Sequence, residues 1–267
     1  VNVAIGMASI AVGAWVTGTL QPFNNVLLAC LSAGMITAAA NAINDYFDIS
    51  IDRVNKPYRP LPSGRLRPQR AFQFALLLFG LGCAVSWFIR PLSFGIAVVA
   101  SVLLFLYSWF FKRTVLWGNF VVSLLSALAF VYGGVAVYRL RLALIPAGFA
   151  FLFHLGREIL KDLEDVEGDR LDGAVTFPVR YGPAKAKLLI TCIFLLLILV
   201  TVLPYRMGVF GEPYLWTVLF GVDLFLVVVI VFLWKSSSRI VYRRLSNWLK
   251  ADMLVGLLAV FLGVSGR

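Results

Sequence analysis

Three aspartates, Asp45, Asp48 and Asp52, recur at i, i+3 and i+7, and Asp162, Asp165 and Asp169 repeat that spacing far downstream. On a helix such positions share one face. Asn41 extends the first face by a turn, Glu158 extends the second, and Asn44 stands one turn before Asp48. Two carboxylate faces turned toward each other repel at neutral pH unless cations lie between them. Donor sets made only of oxygen select hard cations such as Mg²⁺, which takes few carboxylates and leaves positions for water and substrate phosphates. Ten of the 13 acidic residues fall in these two windows, the second also holding Glu164, Glu167 and Asp172. A solvated loop edge explains one acidic run well and a matched pair poorly.

Cations follow the first acidic face directly: Arg53, Lys56, Arg59 and Arg65, with Arg67 and Arg70 beyond them. The segment 53–65 also holds three prolines and a glycine, which predicts an ordered, non-helical loop. Its guanidinium groups suit phosphate oxygens. Anchoring to anionic headgroups is the competing reading for part of this loop. Acid faces, a hard cation and arginines together describe a diphosphate site at a membrane surface.

The elements that position these groups are membrane spans. Of 267 residues, 61% are hydrophobic and 14% charged, against roughly a quarter charged in ordinary soluble domains. No charge occurs from Val1 to Asn44, and charge-free runs also cover Ala71–Ile89, Pro91–Phe111, Thr114–Tyr138, Leu142–Gly156 and Leu188–Tyr205. A span needs roughly 17–25 mainly apolar residues, and continuous runs of this length exclude a barrel. The pattern predicts an all-α polytopic membrane protein forming one domain over 1–267. Nine helices are expected at 1–19, 26–50, 71–89, 92–111, 115–137, 142–164, 186–205, 213–234 and 247–265, around a central chamber. The first is read as a span, not a cleaved leader, because it lacks a basic flank.

Lys and Arg concentrate in every second loop: the 53–70 cations, then Lys112 and Arg113, then Arg170, Arg180, Lys185 and Lys187, then Lys235, Arg239, Arg243 and Arg244. The opposite loops hold Arg90, Arg139, Arg141 and Arg206. The positive-inside rule then places the N-terminus and both acidic motifs on the cytoplasmic side of the cell membrane and the C-terminus outside. The net charge of +11 is thereby assigned to the bilayer surface and not to nucleic acid. Cys30, Cys83 and Cys192 lie in apolar runs without metal-ligand spacing and read as packing residues. His154, the one histidine, and the intramembrane Asp223 and Asp252 read as structural partners.

The segment Asn44–Asp45–Tyr46–Phe47–Asp48–Ile49–Ser50–Ile51–Asp52 resembles the NDxxDxxxD motif of the UbiA superfamily of intramembrane prenyltransferases. Asp162–Leu163–Glu164–Asp165–Val166–Glu167–Gly168–Asp169 is similar to that family's second motif, DxxDxxGD. The resemblance covers the chain. It implies Mg²⁺ as cofactor, an isoprenyl diphosphate as one substrate and a lipid-soluble acceptor as the other. It implies metal binding by Asn44, Asp48, Asp52, Asp165 and Asp169, with Asp45 and Asp162 as auxiliary acids. Tyr107, Lys112 and Arg113 look like the family's diphosphate-side residues, and Arg59 and Arg65 join them. Asp48, Asp165, Asp169 and Lys112 would carry catalysis. Asn119 follows at a familiar spacing. Asn2 resembles the asparagine of the family's first helix, and the arginine usually preceding it would fall before Val1.

Within the superfamily, the segments 55–65 and 156–169 look most like the archaeal branch that adds a geranylgeranyl chain to the free hydroxyl of geranylgeranylglyceryl phosphate. Chlorophyll synthases share a similar loop, so an aromatic or chlorophyllide-type acceptor stays open. A phosphate on the acceptor would draw Arg157, Lys161 and Arg67, although Arg157 is equally placed to pair with Glu158 or Asp162. Two other classes compete. A CDP-alcohol phosphotransferase needs a longer single motif that this chain lacks. A cation transporter would ordinarily place its acids near the bilayer midplane.

Overall fold

A chain crossing a bilayer must close its backbone hydrogen bonds within each span, so apolar runs become helices. The computed structural model describes residues 2–171 and 173–265; Asp172 and the Asn2 side chain fall outside that description. The helices are α1 (Asn2–Trp15), α2 (Phe23–Phe47), α3 (Ile49–Asn55), α4 (Pro68–Trp87), α5 (Pro91–Trp109), α6 (Trp117–Ala136), α7 (Leu140–Leu171), α8 (Phe177–Tyr181), α9 (Pro183–Thr201), α10 (Leu203–Arg206), α11 (Glu212–Thr217), α12 (Leu224–Lys235) and α13 (Arg239–Ser265). A 3₁₀ turn at Phe111–Arg113 follows α5, and a π turn at Val218–Asp223 joins α11 to α12. Among the described residues there is no strand.

Eight segments are long and apolar enough to cross a membrane: α2, α4, α5, α6, α7, α9 with α10, α11 with α12, and α13. The chain is therefore a multi-pass membrane protein. Beside them α1, a shorter apolar helix described over 14 residues, stands at the first of the nine expected segments. It ends at Trp15, not at 19, where the chain turns through Gly18 at φ +85°. Pro68, Pro91 and Pro183 open α4, α5 and α9, a position where the missing N–H costs no intrahelical bond.

Two other boundaries matter for the site. The expected helix 26–50 breaks at Asp48, which has φ −90° and ψ 7° and separates α2 from α3. The helix expected to end at 164 continues to Leu171, so the whole second acidic motif is helical.

Packing divides the bundle. Ile36, Ala39, Ile43, Ala75, Phe79 and Ala97 form a core among α2, α4 and α5. A second core gathers Ile159, Leu160, Ile190, Phe194, Leu226 and Leu249 from α7, α9, α12 and α13. Between them α1 lies against α6. A Cβ on Gly133 would stand 2.0 Å from the Ile10 carbonyl oxygen, and one on Gly13 would stand 2.3 Å from that of Phe130. Glycine at both positions lets the two backbones touch, the small-residue packing typical of membrane helices. Helix direction alternates, so the ends of α2, α5 and α7 and the starts of α4, α6, α9 and α13 gather at one end of the bundle. Both acidic motifs lie there.

Candidate active site at one end of the bundle

The kink at Asp48 divides the first acidic face. Backbone bonds persist through it, Asp48 N–H to the Asn44 carbonyl at 2.9 Å and Asp52 N–H to the Asp48 carbonyl at 2.8 Å. The side chains part nonetheless. Asp48 Oδ2 accepts from Asn44 Nδ2 at 3.0 Å and from Lys112 Nζ at 2.5 Å. Asp45 and Asp52 share a different cation: Arg59 Nη1 donates to both, at 2.9 and 2.8 Å. Asp52 is only 5% exposed, so this partner offsets much of its desolvation. Burial works against the Arg59 charge, but the hydrogen bond to Asp52 and the field of Asp45 outweigh it and raise its pKa. The three aspartates expected on one face thus address two neighbours: Asp45 and Asp52, on either side of the break, meet Arg59, and Asp48, at the break, meets Lys112.

Along α7 the acids fan toward three elements. Asp162 Oδ2 accepts from Asn119 Nδ2 of α6 at 2.8 Å. Asp165 Oδ1 accepts from Arg239 Nη2 of α13 at 3.4 Å. Asp169 Oδ2 accepts from the Thr176 hydroxyl at 3.0 Å. Val175 N–H bonds the Arg113 carbonyl at 3.0 Å and ties this connector to the turn that carries Lys112. Tyr107 stands in the last turns of α5, which lead into that turn. The two motifs therefore meet at this turn, Asp48 through Lys112 and Asp169 through the connector that bonds both Asp169 and Arg113.

The remaining expected residues are dispersed. Arg157 and Lys161 both bind Glu158, at 2.9 and 2.7 Å, so two expected acceptor cations neutralise a buried carboxylate. Arg65 turns back on its own loop, to the Ser63 hydroxyl and the Tyr58 carbonyl. Arg67 and Arg113 are exposed. An open groove of about 470 Å³ runs beside the first motif, lined by Asp45, Asp52, Arg59, Arg70, Leu66 and Phe74. His154 packs against Phe153 and lines an apolar cavity of about 90 Å³, its Nδ1 buried without a hydrogen bond among the described residues. Asp252 Oδ2, in the same lining, is also unbonded, whereas Asp223 accepts from the Thr201 hydroxyl.

Three contributors escaped the sequence reading. Arg239 and Arg243 counted there only as orientation charges, yet Arg239 reaches Asp165 and Arg243 approaches Glu164 at 3.8 Å. Their i, i+4 spacing at a helix start was the available signal. Thr176 carries none.

The donor set suits a hard cation: carboxylates and one amide on two converging elements. Among the described residues no three acids stand close enough to cage an ion. That accords with Mg²⁺ bound through one or two carboxylates per ion and completed by substrate phosphates.

Residues 6–251 match the model of the UbiA prenyltransferase family. The chain is 40% identical to digeranylgeranylglyceryl phosphate synthase of Methanopyrus kandleri, over 97% of this chain and 94% of that protein. A solved structure concerned with a synthase of the same name superimposes with a TM-score of 0.81 at 33% identity, covering 98% and 93% of the two chains. A UbiA homologue from Archaeoglobus fulgidus, bound to GPP and Mg²⁺, shares the fold at a TM-score of 0.66 and 17% identity, covering 97% and 96%. With its helices, its paired aspartate motifs and these likenesses in agreement, the chain belongs to the UbiA prenyltransferase family and is an intramembrane prenyltransferase.

Proposed function

We propose that the protein transfers a geranylgeranyl chain from its diphosphate to the free hydroxyl of geranylgeranylglyceryl phosphate, with Mg²⁺ as cofactor. The observation that carries this reading is convergence: the turn that holds Lys112 on Asp48 is bonded through Arg113 to the connector that holds Asp169 of the other motif. Identity of 40% over nearly the full length to a relative named for that synthesis supports the acceptor. The Archaeoglobus homologue with GPP and Mg²⁺ supports the metal and the allylic diphosphate.

Asn44, Asp48 and Asp52 on one side and Asp165 and Asp169 on the other would hold the ions, which when bound supply charge stabilisation to the leaving diphosphate. Lys112 and Arg59 would then turn from carboxylate to phosphate oxygen, a fixed positive environment for charge that grows as the allylic C–O bond breaks. The apolar bundle excludes water from the allylic cation. The whole chain acts as one unit in this reading, with the motif-bearing end cytoplasmic. Cysteines introduced into 53–70 and 173–187 should label from the cytoplasmic face, and labelling from outside would reverse the orientation.

The deciding experiment is product analysis after incubation with geranylgeranyl diphosphate, Mg²⁺ and a panel of acceptors. Transfer to geranylgeranylglyceryl phosphate is expected. Arg157 and Lys161 being engaged by Glu158 favours a second reading, in which the acceptor carries no phosphate and an uncharged aromatic ring is prenylated instead. Diphosphate release without Mg²⁺, or Mg²⁺ flux across vesicles without product, would sink both.

A further inference from the structure

Two acids read as metal ligands hold cations read as diphosphate binders. Lys112 sits on Asp48 and Arg59 on Asp52. Asp165, on the other motif, stands in the same relation to Arg239, from the first turn of the last helix, at 3.4 Å. One turn on, Arg243 lies 3.8 Å from Glu164. The three metal-side pairs have one design: a carboxylate needs a counter-ion until metal arrives, and the displaced cation is left beside the phosphates that accompany the metal.

Arg239 is held in place by more than its acid. The connector before it is anchored by Lys187, which is 6% exposed. Lys187 Nζ donates to the Ser236 carbonyl at 2.9 Å and the Ser237 hydroxyl at 3.1 Å, and lies over the rings of Trp234 and Tyr242. A lysine is rarely buried without a specific partner. Here it fixes the three-residue connector between α12 and α13, so that α13 begins above the second motif. The Arg239 side chain itself is 65% exposed and so is free to swing.

We propose that Arg239 is a third diphosphate-binding cation, held on Asp165 and transferred to a phosphate oxygen when the metal and substrate load. This rests on the metal–diphosphate reading above and extends it to the last helix. No bond forms or breaks beyond the exchange of ionic and hydrogen-bonded partners.

The test is calorimetric titration of the detergent-solubilised full chain with Mg²⁺ alone and with inorganic diphosphate in the presence of Mg²⁺. Arg239→Gln should weaken Mg²⁺-dependent diphosphate binding about tenfold, the scale of one charge-assisted hydrogen bond. It should leave binding of Mg²⁺ alone no weaker, because Asp165 loses a competing cation. Arg239→Lys should fall between wild type and Arg239→Gln, and it serves as the test variant if the glutamine form melts early. Arg244→Gln, an exposed change on the same helix, should bind like wild type. Unchanged diphosphate binding in both Arg239 variants would overturn the proposal. So would equal weakening of metal and diphosphate, which would make Arg239 a mere prop for Asp165. A wild-type protein that binds no diphosphate with Mg²⁺ would instead overturn the underlying reading.

Discussion

The two acidic motifs have the same spacing and opposite constructions. The first straddles a broken helix, and its three aspartates meet cations, Lys112 for Asp48 and Arg59 for Asp45 and Asp52. The second lies on one unbroken helix, and its aspartates reach Asn119, Arg239 and Thr176 on three separate elements. One motif is organised by a nearby proline-rich loop and a turn, the other by distant parts of the bundle. Equal spacing therefore does not mean equal environment. The broken helix keeps Asp45 and Asp52 on one cation and gives Asp48 another, while the continuous helix sends side chains at i, i+3 and i+7 to separate donors.

Removing a carboxylate from either motif should have the largest effect. Asp48→Ala and Asp165→Ala should each lower prenyl transfer by about a hundredfold or more, because Mg²⁺ depends on charged oxygen donors. Both side chains keep some solvent contact, 13% for Asp48 and 53% for Asp165, so the protein should remain folded in detergent. Asp→Asn at either position should fail almost as badly. Radiolabelled product formation with and without chelator measures this. Near wild-type activity in chelator would remove the metal from the mechanism.

The next effect should separate the motifs by stability. Arg59→Gln deprives two acids of one cation, and one of them, Asp52, is buried. A buried acceptor that loses its donor costs about 1–3 kcal/mol. Thermal unfolding in detergent should show that loss, together with a weaker affinity for prenyl diphosphate. Arg239→Gln breaks an exposed pair and should hardly move the melting temperature. Equal destabilisation by the two changes would contradict the contrast drawn between the motifs.

Much of this architecture is legible in the residues. Long charge-free runs dictate spans by length, and alternating loop cations dictate which ends gather. The 45–52 and 162–169 spacings mark the site because acids in so apolar a chain are costly. What the residues leave out is tertiary. Nothing around Asp48 announces a break, since Asn44–Ile51 lacks glycine and proline. The pairing of Arg157 and Lys161 with Glu158 was one of several arrangements that local spacing allowed, and burial of Glu158 selects it. The approach of Arg239 to Asp165 joins residues 74 positions apart. Only the packing of α13 against α7 brings it about.

The smallest expected effect tests whether the second motif is set by its outlying partners. Thr176 donates its hydroxyl to Asp169 at 3.0 Å, from a connector whose Ala174 N–H also bonds the Asp169 carbonyl at 2.8 Å. Thr176→Val keeps the shape and the β-branch and removes only the donor. The backbone bond survives, and Asp169 retains its place on α7. One neutral hydrogen bond contributes about 0.5–1.5 kcal/mol, so transfer should fall about threefold to tenfold. If Thr176 orients Asp169 toward the ions, the loss should appear as a higher Mg²⁺ requirement, with the maximal rate at saturating Mg²⁺ largely restored. Thr176→Ser keeps the donor and should behave like wild type. An unchanged Mg²⁺ requirement and maximal rate in Thr176→Val would show that Asp169 is set without the Thr176 hydroxyl. The helix would then present the second motif without that side chain's help.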